Sequence, residues 1–230
     1  MLDKLKEEVC EANFELVKRG VVIYTWGNVS GIDRSAGIMA IKPSGVPYDV
    51  LTPGDIVLVD VSSGEVVEGS LKPSSDSPTH LELYRAFPKI GGVTHTHSTH
   101  AVAFAQAGRG IPPLGTTHAD YFYGEVPCTR QLAADEVRDA YERNTGKVIV
   151  EAFEDLDPSA IPGALVRGHG PFTWGKDAAE SVYHAVVLEE VARMAHLTLA
   201  LDPSAILERH ILNKHYLRKH GVNAYYGQSD

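Results

Sequence analysis

"GGVTHTHSTH", residues 91–100, gathers three of the chain's 11 histidines, His95, His97 and His100, into six positions. A glycine turn followed by Val93 and alternating threonines predicts a strand over 91–97. Residues i and i+2 of a strand share a face, so His95 and His97 project together, roughly 6–7 Å apart along the backbone. Thr94 and Thr96 then turn the other way. Two imidazoles at that spacing can share one cation, or they can face solvent or satisfy a polar core; the pair alone does not decide. His100 breaks the alternation and reads as a supporting or helix-start residue.

Outward from this strand the pattern is mixed. "GIMAIK" (37–42) and "DIVLVDV" (55–61) are rich in strand formers, and 65–68 follows as a hairpin partner. Leu5, Val9, Ala12 and Leu16 recur at helical spacing over 3–18. Ser77, Pro78 and Pro88 bracket a helix over 77–88. Residues 133–143 read as a helix, and strands are expected near 147–152 and 163–168. A long helix over 177–197 opens with Asp177 and Glu180 in capping-box spacing, and a last one over 204–219 stops at Gly221. The result is one α/β domain spanning 1–230, with antiparallel pairs rather than a doubly wound parallel sheet.

With 230 residues, 43% hydrophobic and 22% charged, the chain suits a single large domain. A net charge of -9 argues against a non-specific grip on nucleic acid or an anionic membrane. Cys10 and Cys128 make no disulfide framework and suit a reducing cytosol. The charged start "MLDKLKEEVC" lacks the apolar core of a signal peptide, and no later stretch has the length of a membrane span. A cytoplasmic location is therefore expected.

His169 in "RGHGPFTWG" (167–175) lies between two glycines that allow a tight turn. Alone it reads as a loop histidine. Joined to His95 and His97 it completes a set of three neutral donors with an open position, most readily for zinc, with a carboxylate such as Asp76 as a candidate fourth ligand. "WGNVSG" (26–31), "KPSGV" (42–46) and "KPSSD" (72–76) read as turns whose backbone N–H groups, with Asn28, Ser44, Ser74 and Ser75, can surround phosphate oxygens. Lys42 would add charge. None matches a P-loop. Asp120, among Tyr121, Phe122 and Tyr123, either has a raised pKa suited to proton transfer or serves as a helix-cap or turn aspartate, the residues by themselves leaning to the latter. The tail "KHYLRKHGVNAYYGQ" (214–228) carries His215, Arg218 and Tyr226; it is either a docked strap or part of a site on a neighbouring subunit.

"TWGNVSG", "IKPSGV", "KPSSDSPTH", "GGVTHTHSTHA", "GTTHADYFYGEVPCTR", "GHGPFTWG" and "KHYLRKHG…AYYGQ" together resemble the class II aldolase/epimerase family typified by L-fuculose-1-phosphate aldolase. The resemblance runs from the first helix to the last residues. It implies a central, largely antiparallel sheet flanked by helices, and a homotetramer with sites between adjacent subunits. It implies metal ligation by His95, His97 and His169 with Asp76 on or beside the metal (Zn2+, with Mn2+ or Co2+ as alternatives). It implies a phosphate pocket of Gly27, Asn28, Ser44, Gly45, Ser74 and Ser75 with Arg218 from a neighbour. Asp120 and Tyr226 become an acid/base pair, and His215 orients the substrate. Asp76, where related aldolases carry glutamate, and the tail's His215 and Tyr226 match the family's epimerases. These act on a phosphorylated ketopentose by breaking and re-forming a carbon–carbon bond through a metal-stabilised enediolate. A true aldolase, a metal-free scaffold like the head domain of adducin, and a zinc phosphoesterase are the rivals; the intact histidine set opposes the scaffold, and the specific tail opposes the phosphoesterase.

Overall fold

The computed structural model describes residues 2–227. β1 (Gly27–Asp33), β2 (Ile38–Ile41), β3 (Val57–Asp60), β4 (Val66–Glu68), β5 (Gly92–Thr96), β6 (Gly163–Val166) and β7 (Gly170–Gly175) form one sheet. Its order is β4-β3-β2-β1-β5-β7-β6, and every pairing is antiparallel. The expected α/β architecture, an antiparallel sheet flanked by helices, is what is found.

Strand alternation sorts the apolar residues into two cores. Val29, Ala40 and Leu58 face α1 (Leu2–Lys18) and the start of α6 (Ala178–Leu201). Met39, Ile41, Val57, Val59 and Val93 face α2 (Ser77–Ala86) and α5 (Ala134–Glu151). α3 (Thr99–Ala107), α4 (Thr116–Ala119) and α7 (Arg209–His220) complete the helices. The Asp177 side chain accepts from the Glu180 amide at 2.8 Å, so the cap predicted for α6 forms. Among the described residues no helix is long and apolar enough to cross a membrane.

Three readings of the sequence are corrected. Residues 147–152 are not a strand. Residues 147–151 continue α5 past a kink at Ala140 (φ -163°, ψ 68°) and Ala152 caps it, because Thr145, Val148 and Ile149 all fall on one buried helical face. Gly146 permits the close approach to α2: a Cβ there would lie 2.6 Å from the Glu82 Cβ. Residues 26–31 are not a turn; from Gly27 onward they are β1, paired on both edges. Residues 170–175 form β7, a strand the sequence reading does not assign. The last helix begins at Arg209 instead of 204, since Asp202 caps a turn through Ser204.

Candidate metal centre and proton-transfer cluster

β5 is the middle of three adjacent strands, with β1 on one edge and β7 on the other. His95 lies on its Val93 face, 2% exposed, stacked on Phe172 of β7 at 4.2 Å between ring centres. On the opposite face the Thr94 hydroxyl bonds to Ser181 of α6 at 2.7 Å. His97 follows one residue beyond the strand, and His169 occupies the β6–β7 turn. Ring centres of the three imidazoles are 4.7–5.1 Å apart. One donor nitrogen from each lies within 4.8 Å of the others.

The hydrogen bonds fix which nitrogens are free. His95 Nδ1–H donates to the Pro171 carbonyl at 2.9 Å, so its Nε2 carries a lone pair. That Nε2 sits 3.1 Å from Nε2 of His97. His169 Nδ1 lies 3.3 Å from the Tyr141 hydroxyl, leaving Nε2 for another partner. Burial and the neighbouring imidazoles push His169 down to about 3 and His97 in the same direction. The chemistry of this donor set fits a divalent cation: imidazole nitrogens converging on one point, with His95 and His169 held from behind.

Asp76 precedes α2, where Asn28 Nδ2 donates to its Oδ2 at 2.7 Å. Burial pulls the Asp76 carboxyl upward, but the facing imidazoles of His95 and His80 and the Asn28 amide outweigh it and keep it ionised. His80, fully buried one helical turn after Asp76, is not singled out by the sequence reading. Its Nδ1 bonds to Ser30 Oγ at 2.7 Å, and its Nε2 has no partner among the described residues. The Asp-x-x-x-His spacing at a helix start is the available signal, as is the aromatic hydroxyl of Tyr141 at helical distance from buried positions.

Beside the imidazoles lies a cleft of about 310 Å³ whose walls include Gly27, Asn28, Lys42, Ser44, Gly45, Ser74, Ser75 and Asp76. The three glycine- and proline-containing segments therefore meet. A Cβ on Gly27 would fall 2.8 Å from the His95 carbonyl oxygen, so only glycine lets β1 lie this close to the histidine strand. The amides of Ser44 and Ser74 are spent on Lys72 and Lys42 carbonyls, each at 3.0 Å, which zips the two loops together. The amides of Gly45 (φ +69°) and Ser75 have no acceptor among the described residues, as an anion-binding nest requires. Lys42 is buried with its ammonium 4.9 Å from the Tyr48 ring centre and bonded to the Pro43 and Val46 carbonyls, and burial lowers it to about 8. A larger groove of about 580 Å³ between α1 and α6 is rimmed by Glu8, Glu11 and Glu15, a poor place for a phosphate.

Asp120, His215, Arg218 and Tyr226 assemble elsewhere. Asp120 ends α4, and α7 packs on it. Its Oδ1 accepts from His215 Nδ1 and Arg218 Nη2, both at 3.0 Å, and its Oδ2 accepts from Arg218 Nη2 at 2.9 Å. The guanidinium carbon of Arg218 lies 4.9 Å from the Tyr226 ring centre. Of the two readings of Asp120, the raised pKa is not what is found, and the residue caps α4. Burial does push its carboxyl up, but hydrogen bonds from Arg218 and His215 and the charge of Lys219 hold it below the usual range. Arg218 faces Asp120 of its own chain here. Among the described residues no hydrogen bond or ion pair joins this group to the imidazole group.

The family model "Class II Aldolase and Adducin N-terminal domain" matches residues 7–196. A solved L-fuculose 1-phosphate aldolase superposes with a TM-score of 0.78 at 24% identity, over 92% of this chain and 94% of that one. An L-fuculose-1-phosphate aldolase from Thermus thermophilus gives 0.69 at 25%, over 89% and 100%. A sugar-phosphate aldolase from Thermotoga maritima gives 0.67 at 18%, over 87% and 97%.

Proposed function

The chain belongs to the class II aldolase and adducin N-terminal domain family, and on that premise we propose that it is an L-ribulose-5-phosphate 4-epimerase, interconverting L-ribulose 5-phosphate and D-xylulose 5-phosphate. The observation that carries this reading is the convergence of three imidazoles beside a polar cleft with unused backbone amides. It unites a site for a divalent metal with a site for a phosphate.

The C4 hydrogen of the substrate is not acidic, so deprotonation at carbon is an unattractive route. Breaking the C3–C4 bond leaves its charge as an enediolate conjugated with the C2 carbonyl. A metal held by His95, His97 and His169 with Asp76 beside it, zinc in this reading, supplies when bound a Lewis acid for that charge. The Gly45 and Ser75 amides, the Ser44 and Ser74 hydroxyls, Asn28 and Lys42 grip the phosphate, so the glycolaldehyde phosphate fragment stays in place while its aldehyde turns over. One proton handler accepts the C4 hydroxyl proton on one face, and a second returns a proton to the re-formed C4 oxygen on the other. Asp120 and Tyr226 take these roles, His215 orients the substrate, and Arg218 adds charge for the phosphate. Since these groups stand apart from the imidazoles within one chain, the working unit is a homotetramer in which α7 of one subunit serves the cleft of the next. The free thiols of Cys10 and Cys128 suit a cytoplasmic enzyme.

The test is an assay on L-ribulose 5-phosphate, measuring D-xylulose 5-phosphate before and after chelation. Conversion that disappears with the metal and returns on its readdition is expected. Full conversion by metal-free protein overturns the reading. The aldolase names of the similar structures favour a second reading, cleavage with release of the aldehyde. Free glycolaldehyde phosphate as the major product would establish it instead.

A further inference from the structure

The Asp120 cluster contains a residue that the reaction scheme leaves idle. Lys219 follows Arg218 on α7, and its Nζ lies 3.7 Å from Asp120 Oδ2. The same ammonium sits 4.2 Å from the Tyr121 ring centre and 4.4 Å from that of Tyr226. A surface lysine keeps its head group in water. This one is 13% exposed and has exchanged water for a carboxylate and two ring faces.

We propose that Lys219 is a positioning residue, a counter-ion shared by the two proton handlers Asp120 and Tyr226. The inference rests on the reading of those two residues given above. In one turnover the first handler takes the proton of the C4 hydroxyl as the C3–C4 bond breaks. When the bond re-forms, the second gives its proton to the new C4 oxygen. The pair holds one negative charge before and after; only its location changes, from carboxylate to phenolate or the reverse. A cation bound to one handler alone would stabilise only one of the two placements of the charge. A cation in contact with both stabilises the charge wherever it rests. Arg218 also touches both, but the proposed function commits it to phosphate, whereas Lys219 has no second duty.

Other groups face this site and share in its charge balance. His215 and His220 of α7 bond to the Asp120 side chain and carbonyl at 3.0 and 2.9 Å. From α6, the Tyr183 hydroxyl bonds to that of Tyr121 at 2.7 Å, and the His184 ring centre lies 6.1 Å from that of Tyr183. Cations hold the Asp120 carboxyl down, so removing one raises it, and the base form is then lost at a higher pH.

The experiment compares full-length wild type, Lys219→Met and Lys219→Arg. Both directions of the reaction are assayed across pH, and the Asp120 carboxyl is titrated by carbon-13 NMR. For Lys219→Met, kcat is expected to fall about tenfold or more in both directions with KM nearly unchanged, and the acid limb and the carboxyl to move up by about one pH unit. Lys219→Arg should restore most of each. A Met variant with wild-type kcat and acid limb overturns the inference, as does an Arg variant no better than Met. If the wild type converts neither ester, the function reading falls, while the carboxyl titration alone still decides whether Lys219 governs Asp120.

Discussion

His95 sits on a middle strand of the sheet with its ring stacked on Phe172, whereas Asp120 sits where a one-turn helix meets a terminal helix that buries a single apolar residue, Leu212. Both regions hold reactive side chains still, by different means. At the imidazoles the means is burial: desolvation disfavours the charged forms of His97 and His169, and backbone and phenol partners set which nitrogen of His95 and His169 faces inward. At Asp120 the means is charge: a carboxylate, a guanidinium, an ammonium and an imidazole fix one another, and Tyr123 and Tyr216 stack alongside at 4.4 Å. A cation-binding centre needs neutral, preorganised donors. A proton-handling centre needs groups whose charge changes during turnover. Under the proposed function, each region is built for the chemistry it would perform.

Three substitutions press on that contrast. His97→Asn removes one neutral donor and should strip bound metal and lower turnover by about 10³–10⁴-fold, the several kcal/mol that a Lewis acid supplies. Metal analysis beside the rate checks it, and unchanged zinc content with an unchanged rate would remove His97 from the ligand set. Tyr226→Phe leaves the imidazoles untouched and should cost about 10²–10⁴ in kcat while metal content and thermal unfolding stay at wild-type values. Wild-type turnover in that variant would make Tyr226 a bystander. The gentlest test mixes two dead proteins, Asp120→Asn and His97→Asn, unfolded and refolded together. If neighbouring chains complete each site, about a quarter of the sites regain both intact residues and activity returns in proportion. Mixed tetramers that stay inactive would put both regions to work within one chain.

The sequence shows the two regions to unequal depth. The His-x-His alternation identifies one face of a strand, and the glycine-flanked His169 adds a third donor, since both signals are local. β1 is hidden because Gly27, Asn28 and Gly31 carry turn composition. Their smallness serves a tertiary purpose, a strand pressed against His95 on one edge and against α1 through Gly31. The 147–152 segment misleads in the opposite sense: valines and isoleucine signal a strand, and packing on α2 makes them helix. His80, Tyr141 and Lys219 escape a reading of the sequence because their roles depend on partners far off along the chain. Lys219 reads as one more base in a basic helix until Asp120, 99 positions earlier, is set against it.

The sheet order carries a consequence for how the protein is made. The histidine strand pairs on one side with residues 27–31 and on the other with 172–175. During synthesis its first neighbour is already available when it leaves the ribosome, but its second arrives some eighty residues later, together with His169. Until then the strand has a bare edge and only two of its three imidazoles. A cation site made of all three imidazoles would thus wait until residue 169 has been made, and the nascent chain has reason to need shielding in that interval.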